Sequence, residues 1–218
     1  AHWRAVNVSH RLGCYEFDVH RQGKLFLHAR LGCLPGLHNA LNALVATAMA
    51  HRAGVAAETI AEALGQFSGA ERRLSRRGEA AGILLLDDYG HHPTEIQVTL
   101  KAVREHHPGR KLWVIFQPHQ HSRTRFLLED FAISFGQADH LLVPDIYFVR
   151  DSQTERQAIC SSNLVDRVRA NGCDALYIPD HGKIVEHVLA HARSGDIVLT
   201  MGAGDVWKIA DELVRRLS

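Results

Sequence analysis

Three polar clusters hold side chains whose types and spacing suit chemistry. The first is Asp87-Asp88-Tyr89-Gly90-His91-His92-Pro93-Thr94-Glu95, where two carboxylates, a phenol and two imidazoles crowd one short stretch. Ionisable groups at this density are costly to hold together unless they are used. The plainer reading of any single member is helix capping by an Asp or by Thr94. The second cluster is Gln117-Pro118-His119-Gln120-His121-Ser122-Arg123-Thr124-Arg125. A guanidinium there can hold a carboxylate or phosphate through paired hydrogen bonds, with capping by Ser122 or Thr124 as the plainer reading. The third, Gly202-Ala203-Gly204-Asp205, could bring backbone N–H groups to a phosphate. It lacks a third glycine and reads equally as an ordinary α/β turn. Upstream, Asn39 and Asn42 lie three apart at a helix start, so both amides face one side. Side-chain amides match the donor and acceptor edge of adenine, and Asn39 could instead be a simple N-cap.

These clusters need rigid elements behind them. Residues 3–34 alternate apolar and polar side chains, predicting short strands with a hairpin turn at Arg21-Gln22-Gly23. Pro35-Gly36 breaks the pattern. Helical spacing then predicts a helix over 39–53 with Gly54 as its stop, and a second over 57–67. The rhythm changes near 68–73, where a domain boundary is expected, dividing the chain into 1–70 and 71–218. Beyond it, strands are predicted at 83–86, 112–116, 140–143, 175–178 and 197–200. Helices are predicted at 94–105, 125–135, 163–170, 184–191 and 206–216. Continuous apolar strands separated by amphipathic helices imply an α/β fold with a mostly parallel sheet covered on both faces. Ligands in such sheets sit beyond the carboxyl ends of the strands, where the three clusters fall.

Composition narrows the class. Of 218 residues, 46% are hydrophobic and 22% charged, which suits a water-soluble core-forming protein. A net charge of +1 gives no strong pull toward nucleic acid or a membrane surface, and no apolar run approaches a membrane span. Four scattered cysteines without a C-x-x-C pair suit a reducing cytoplasm rather than a disulfide or zinc framework. The opening Ala1-His2-Trp3 carries neither a start methionine nor a signal-peptide pattern, so a piece of a longer protein is expected.

Taken together, PGLHNALNALVA (35–46), the arginines at 72–73, DDYGHHPTEI (87–96), FQPHQHSRTR (116–125), DIY (145–147) and MGAGDV (201–206) resemble the Mur ligase family, specifically its L-alanine-adding branch. The resemblance implies three domains, of which this chain would hold the end of the central ATP-binding domain (1–70) and the Rossmann-like C-terminal domain (71–218). It implies ATP-driven phosphorylation of the carboxylate of UDP-N-acetylmuramate, then attack by the amine of L-alanine, in peptidoglycan precursor synthesis. By the same resemblance, Asn39 and Asn42 contact adenine, Arg73 lies near the nucleotide phosphates, and Asp88 meets the ribose. Tyr89, His91, His119 and Arg123 line the incoming alanine. The sequence departs from the family at Gln120, where an arginine is common, and over Phe148-Val149-Arg150-Asp151-Ser152, to which no role is carried over.

No G-x-x-x-x-G-K-[ST] phosphate loop occurs, and the metal-binding glutamate and histidine of the central domain are not recognisable. Phosphoryl transfer rests on that loop and Mg²⁺, so the chain alone is expected to be inactive. Mg²⁺ would be held mainly by the part not present, and no metal ligand is assigned here. Two other readings stand beside the ligase. A metal-dependent hydrolase would use Asp87, Asp88, His91, His92, His119 and His121 as N and O ligands. A non-catalytic nucleotide-binding module would use the Gly202–Asp205 turn.

Overall fold

The computed structural model describes residues 2–11, 14–32 and 36–218. Pro35 of the expected break, and Cys33, lie outside the described residues. The chain divides into two compact units, Ala1–Ala70 and Glu71–Ser218.

In the first unit, β1 (Trp3–Arg11), β2 (Cys14–Arg21) and β3 (Lys24–Arg30) form an antiparallel sheet in that order. Gln22 and Gly23 both take positive φ, the two-residue turn whose twist matches paired strands. Alternate β2 residues Tyr15, Phe17 and Val19 point to one face. They pack with Leu27 and Ala29 of β3 against Ala40, Ala43 and Ile60 of two helices. These are α1 (Leu37–Arg52) and α2 (Ala57–Gln66). Helix α1 begins two residues before the predicted start. It ends as expected at Gly54 (φ +90°), whose N–H donates to the His51 carbonyl while Val55 N–H reaches back to Ala50, closing a Schellman motif.

The second unit is built on six strands. In chain order its elements are β4 (Ser75–Ala80), β5 (Ile83–Asp88), α3 (Pro93–His106), β6 (Leu112–Phe116), α4 (His121–Phe126), α5 (Leu128–Ala132) and β7 (His140–Val143). There follow α6 (Gln153–Ala158), α7 (Ser161–Ala170), β8 (Asp174–Tyr177), α8 (His181–His191), β9 (Ile197–Met201) and α9 (Trp207–Leu217). The sheet order is β4-β5-β9-β6-β7-β8, with only β4 antiparallel to its neighbour. The α/β class and mostly parallel sheet agree with the sequence reading. Strand residues alternate between two cores. Leu84, Leu86, Val114 and Phe116 meet Ile96, Leu100, Phe131 and Leu164 on one face. Ile83, Leu85 and Ile115 meet Ile184, Val188, Ile209 and Leu213 on the other.

Four local expectations change. Asp87 and Asp88 do not follow β5 but complete it, and both are buried. Strand β4, Ser-Arg-Arg-Gly-Glu-Ala, was not expected, because a charged edge strand lacks apolar alternation. The single helix predicted over 125–135 is two short ones. The first begins earlier, at His121, because a distant aspartate caps it. Helix α6 was also unforeseen: it buries no residue, so it has no apolar stripe, and rests on the Ser152 hydroxyl accepting from Glu155 N–H at 3.1 Å.

Insertion of the last strand between β5 and β6 positions the polar clusters. In register, Asp88 lies beside Met201, and Met201 beside Phe116. Three segments far apart in sequence therefore emerge side by side at one edge of the sheet.

Candidate functional site

At the end of β5, the chain turns through Tyr89 and Gly90 into α3. Asp88 is the hinge of that turn. One carboxylate oxygen accepts Gly90 N–H at 2.6 Å, and the other accepts Leu74 N–H at 2.7 Å, tying the arginine-bearing loop to the strand end. Burial pushes its carboxyl above the ordinary value, and those two amides pull the other way. Helix α3 is capped neither by an Asp nor by Thr94. His92 accepts Thr94 N–H through Nδ1 at 3.3 Å, while Glu95 receives the N–H groups of His91 and His92 at 2.9 and 3.1 Å. This leaves the His91 ring free to turn back over the strand ends. Its Nδ1 donates to the Tyr89 carbonyl at 3.1 Å.

The rings form a continuous row. Tyr89 meets His91 edge to face at 5.3 Å, His91 meets His119 at 5.9 Å, and His119 stacks on Tyr147 at 5.6 Å between centroids. His119 comes from the segment after β6, and Tyr147 from the segment after β7. The two segments are stitched together: Tyr147 N–H donates to Pro118 and Gln120 N–H donates to Tyr147. Burial, then the charges of Arg123, His91 and Arg150, hold the His119 imidazole below its usual value. Nδ1 of His119 and Nη1 of Arg123 are both buried without a protein partner. Buried polar nitrogens without partners are rare, and both of these belong to the segment that follows β6. Tyr89, His91, His119 and Arg123 thus lie at one strand-end surface. Arg73 is exposed beside it, its guanidinium 5.7 Å from the Tyr89 ring.

Arg72, which sequence reasoning passed over in favour of Arg73, is the structural arginine. It pairs with the fully buried Asp87 at 3.0 Å and donates to the carbonyls of Gly202 (2.7 Å) and Gly204 (3.3 Å). The glycines of that turn answer to packing. A Cβ on Gly202 would lie 2.6 Å from the Gln117 carbonyl oxygen, and one on Gly204 would lie 2.3 Å from Gln117 Oε1. With its carbonyls turned to Arg72, the turn is a packed joint and lends no support to the nucleotide-module reading.

The hydrolase reading finds no support either. Asp87 is held by Arg72 and by the Thr200 hydroxyl (2.7 Å), Asp88 by backbone amides, and His92 by its cap. His121 turns to Asp151, its Nδ1 3.7 Å from the carboxylate. Among the described residues, no three His, Cys, Asp or Glu side chains are placed to hold a metal ion.

In the first unit, Asn39 and Asn42 both line a cavity of about 390 Å³. Its other walls are mostly apolar, from Leu31, Ala43, Ile60, Leu64 and Phe67 among others, with Thr47 and Thr59. This volume lies in the range of small-molecule sites, which are mostly apolar with a few placed polar groups.

Residues 72–204 match the family described as Mur ligase, glutamate ligase domain. The chain belongs to the Mur ligases. The match spans every strand-end residue named above, from Arg72 to Gly204. This Mur ligase is 39% identical over 213 residues to the UDP-N-acetylmuramate–L-alanine ligase of Caldanaerobacter subterraneus subsp. tengcongensis, covering 97% of the chain and 45% of that protein. It superposes on the crystal structure of UDP-N-acetylmuramate-alanine ligase from Thermotoga maritima with a TM-score of 0.80 and 26% identity, over 99% of the chain and 45% of the other. A murein peptide ligase from Psychrobacter arcticus gives 0.73 and 27%, over 100% and 44%. The chain therefore spans about half the length of the relatives it matches. Among the described residues no helix is long and apolar enough to cross a membrane.

Proposed function

We propose that this chain is the amino-acid-binding part of an ATP-dependent ligase that joins L-alanine to the carboxylate of UDP-N-acetylmuramate. The observation that carries the reading is the pair of unpartnered buried nitrogens, His119 Nδ1 and Arg123 Nη1, with His119 next to His91 and His91 next to Tyr89. They suit the carboxylate of an incoming amino acid. Arg123 would take it through charge-assisted hydrogen bonds, leaving the amine free to attack an acyl phosphate. Such orientation is itself a large share of catalysis. The relatives named for L-alanine favour that amino acid.

Residues 1–70 would belong to the central ATP-binding domain. The apolar cavity with Asn39 and Asn42 at its wall suits a purine base. On the outer face of α1, Leu37, Leu41, Val45 and Met49 recur every fourth residue and stay 54–68% exposed, as a face meant for further packing would. Arg73 would approach the nucleotide phosphates. Asp88, beyond any contact with ribose, would act by holding the Arg72–Leu74 loop in place. Mg²⁺ accompanying ATP would be held mainly by groups outside this chain, since among the described residues no three carboxylate, imidazole or thiol side chains are placed to hold a metal ion. Reaction in the cytoplasm belongs to the same reading. The test is ATP-dependent joining of L-alanine to UDP-N-acetylmuramate by the full-length protein.

A further inference from the structure

Arg123, on which the proposed amino-acid site rests, sits on α4, a helix of six residues. Helices this short do not hold themselves together in water, and nothing local caps this one. Gln120 at its N-cap takes φ +69° and makes no side-chain capping bond. The cap comes from Asp151, thirty residues further on. One Asp151 oxygen accepts the N–H groups of His121 and, at 3.4 Å, Ser122. The other accepts the Ser122 hydroxyl at 2.5 Å. The Asp151 side chain is only 3% exposed.

The far end of α4 is fastened to the same segment. Arg125 makes two 2.9 Å bonds to Glu155 of α6. On the other side, Tyr147 is bonded to Pro118 and Gln120. Residues 147–155 thus clamp 118–125 at three points, with Arg123 between the last two. Two non-glycine residues in this clamp, Gln120 and Arg150, hold positive φ. Such conformations persist where surrounding contacts over-determine them.

We propose that Asp151 is the positioning residue of the amino-acid site: by capping α4 it sets the direction of Arg123, without touching substrate itself. The proposal rests on the ligase reading for what Arg123 binds. The position of a guanidinium against a carboxylate must hold to fractions of an ångström for productive attack, and a six-residue helix without its cap cannot supply that.

The test uses Asp151→Ala and Asp151→Asn in the full-length protein. Asp151→Ala is expected to raise the KM of the amino acid about tenfold, with the ATP KM changed less than twofold. Asp151→Asn keeps an oxygen for the helix amides and should recover most of the loss. In an Arg123→Ala background, Asp151→Ala should add little, because the group it positions is gone. Equal rises in both KM values, or full additivity with Arg123→Ala, would overturn the proposal. Hydrogen exchange over 121–126 reads the same device without substrate: it should quicken in Asp151→Ala, and unchanged protection refutes the cap. If the wild-type protein ligates a different amino acid, the ligase reading is what fails, and the variants are read on that amino acid. If it ligates none, the exchange measurement still decides the cap.

Discussion

Arg72 and Asp87 form a buried ion pair that locks two of the three strand-end segments together. The guanidinium sits 3.0 Å from a fully buried carboxylate, and its remaining arms hold the carbonyls of Gly202 and Gly204. The Thr200 hydroxyl takes the other Asp87 oxygen. One pair therefore joins the loop before β4, the end of β5 and the turn after β9.

Removing half of such a pair leaves a buried charge without compensation, at a cost of about 3–5 kcal/mol. Arg72→Ala should lose stability of that order in denaturant unfolding. Arg73→Ala, whose side chain is exposed, should lose less than about 0.5 kcal/mol. Equal losses would show that the pairing has been misassigned between the two neighbours.

On the proposed reading, Arg123→Ala should raise the L-alanine KM of the full-length protein by roughly 10- to 100-fold, the equivalent of a lost charged hydrogen bond of about 1.5–3 kcal/mol. The ATP KM should stay within about twofold. Steady-state kinetics with each substrate varied in turn decides this, and parallel rises would remove the assignment.

The asparagines predict the opposite split. Asn39→Ala and Asn42→Ala should each weaken ATP about 3- to 10-fold, the worth of one neutral hydrogen bond, while the L-alanine KM holds. An unchanged ATP KM in both variants would leave the cavity beside α1 without a nucleotide.

His119 has a pKa held below its usual value by burial and by the neighbouring cations. The folded state therefore prefers the neutral ring, and the unfolded chain takes up the proton first as pH falls. The stability this group contributes is complete above the unfolded value of about 6.5 and is lost as pH falls toward the depressed folded value. Thermal unfolding at pH 7.5 and 5.5 should show a smaller drop for His119→Gln than for wild type. Identical drops would contradict the burial of this ring.

Much of this arrangement is legible in the sequence. The wholly apolar run Leu112–Phe116, short and rich in β-branched and aromatic residues, suits a buried strand, and polar residues directly after such strands mark the site edge. What stayed hidden depends on partners remote in sequence. Asp151 caps a helix thirty residues upstream, which moved the start of α4 from 125 to 121. Arg72 and Arg73 are indistinguishable as letters; only the pairing of β4 with β5, which sets Ser75 opposite Asp87, brings Arg72 to a buried carboxylate. Strand β4 was missed because its charges are what protect a sheet edge. Asp88 read as a loop carboxylate because nothing local shows that Leu74 and Gly90 supply its hydrogen bonds.

The proposed ligation can be followed by incubating the full-length protein with ATP, Mg²⁺, UDP-N-acetylmuramate and labelled L-alanine, and tracing label into the uridine nucleotide. Label should transfer in an ATP-dependent manner, with ADP and phosphate released in step, and none should transfer with the 218-residue chain alone. Failure to take L-alanine, or use of a preformed peptide in its place, would contradict the ligase reading.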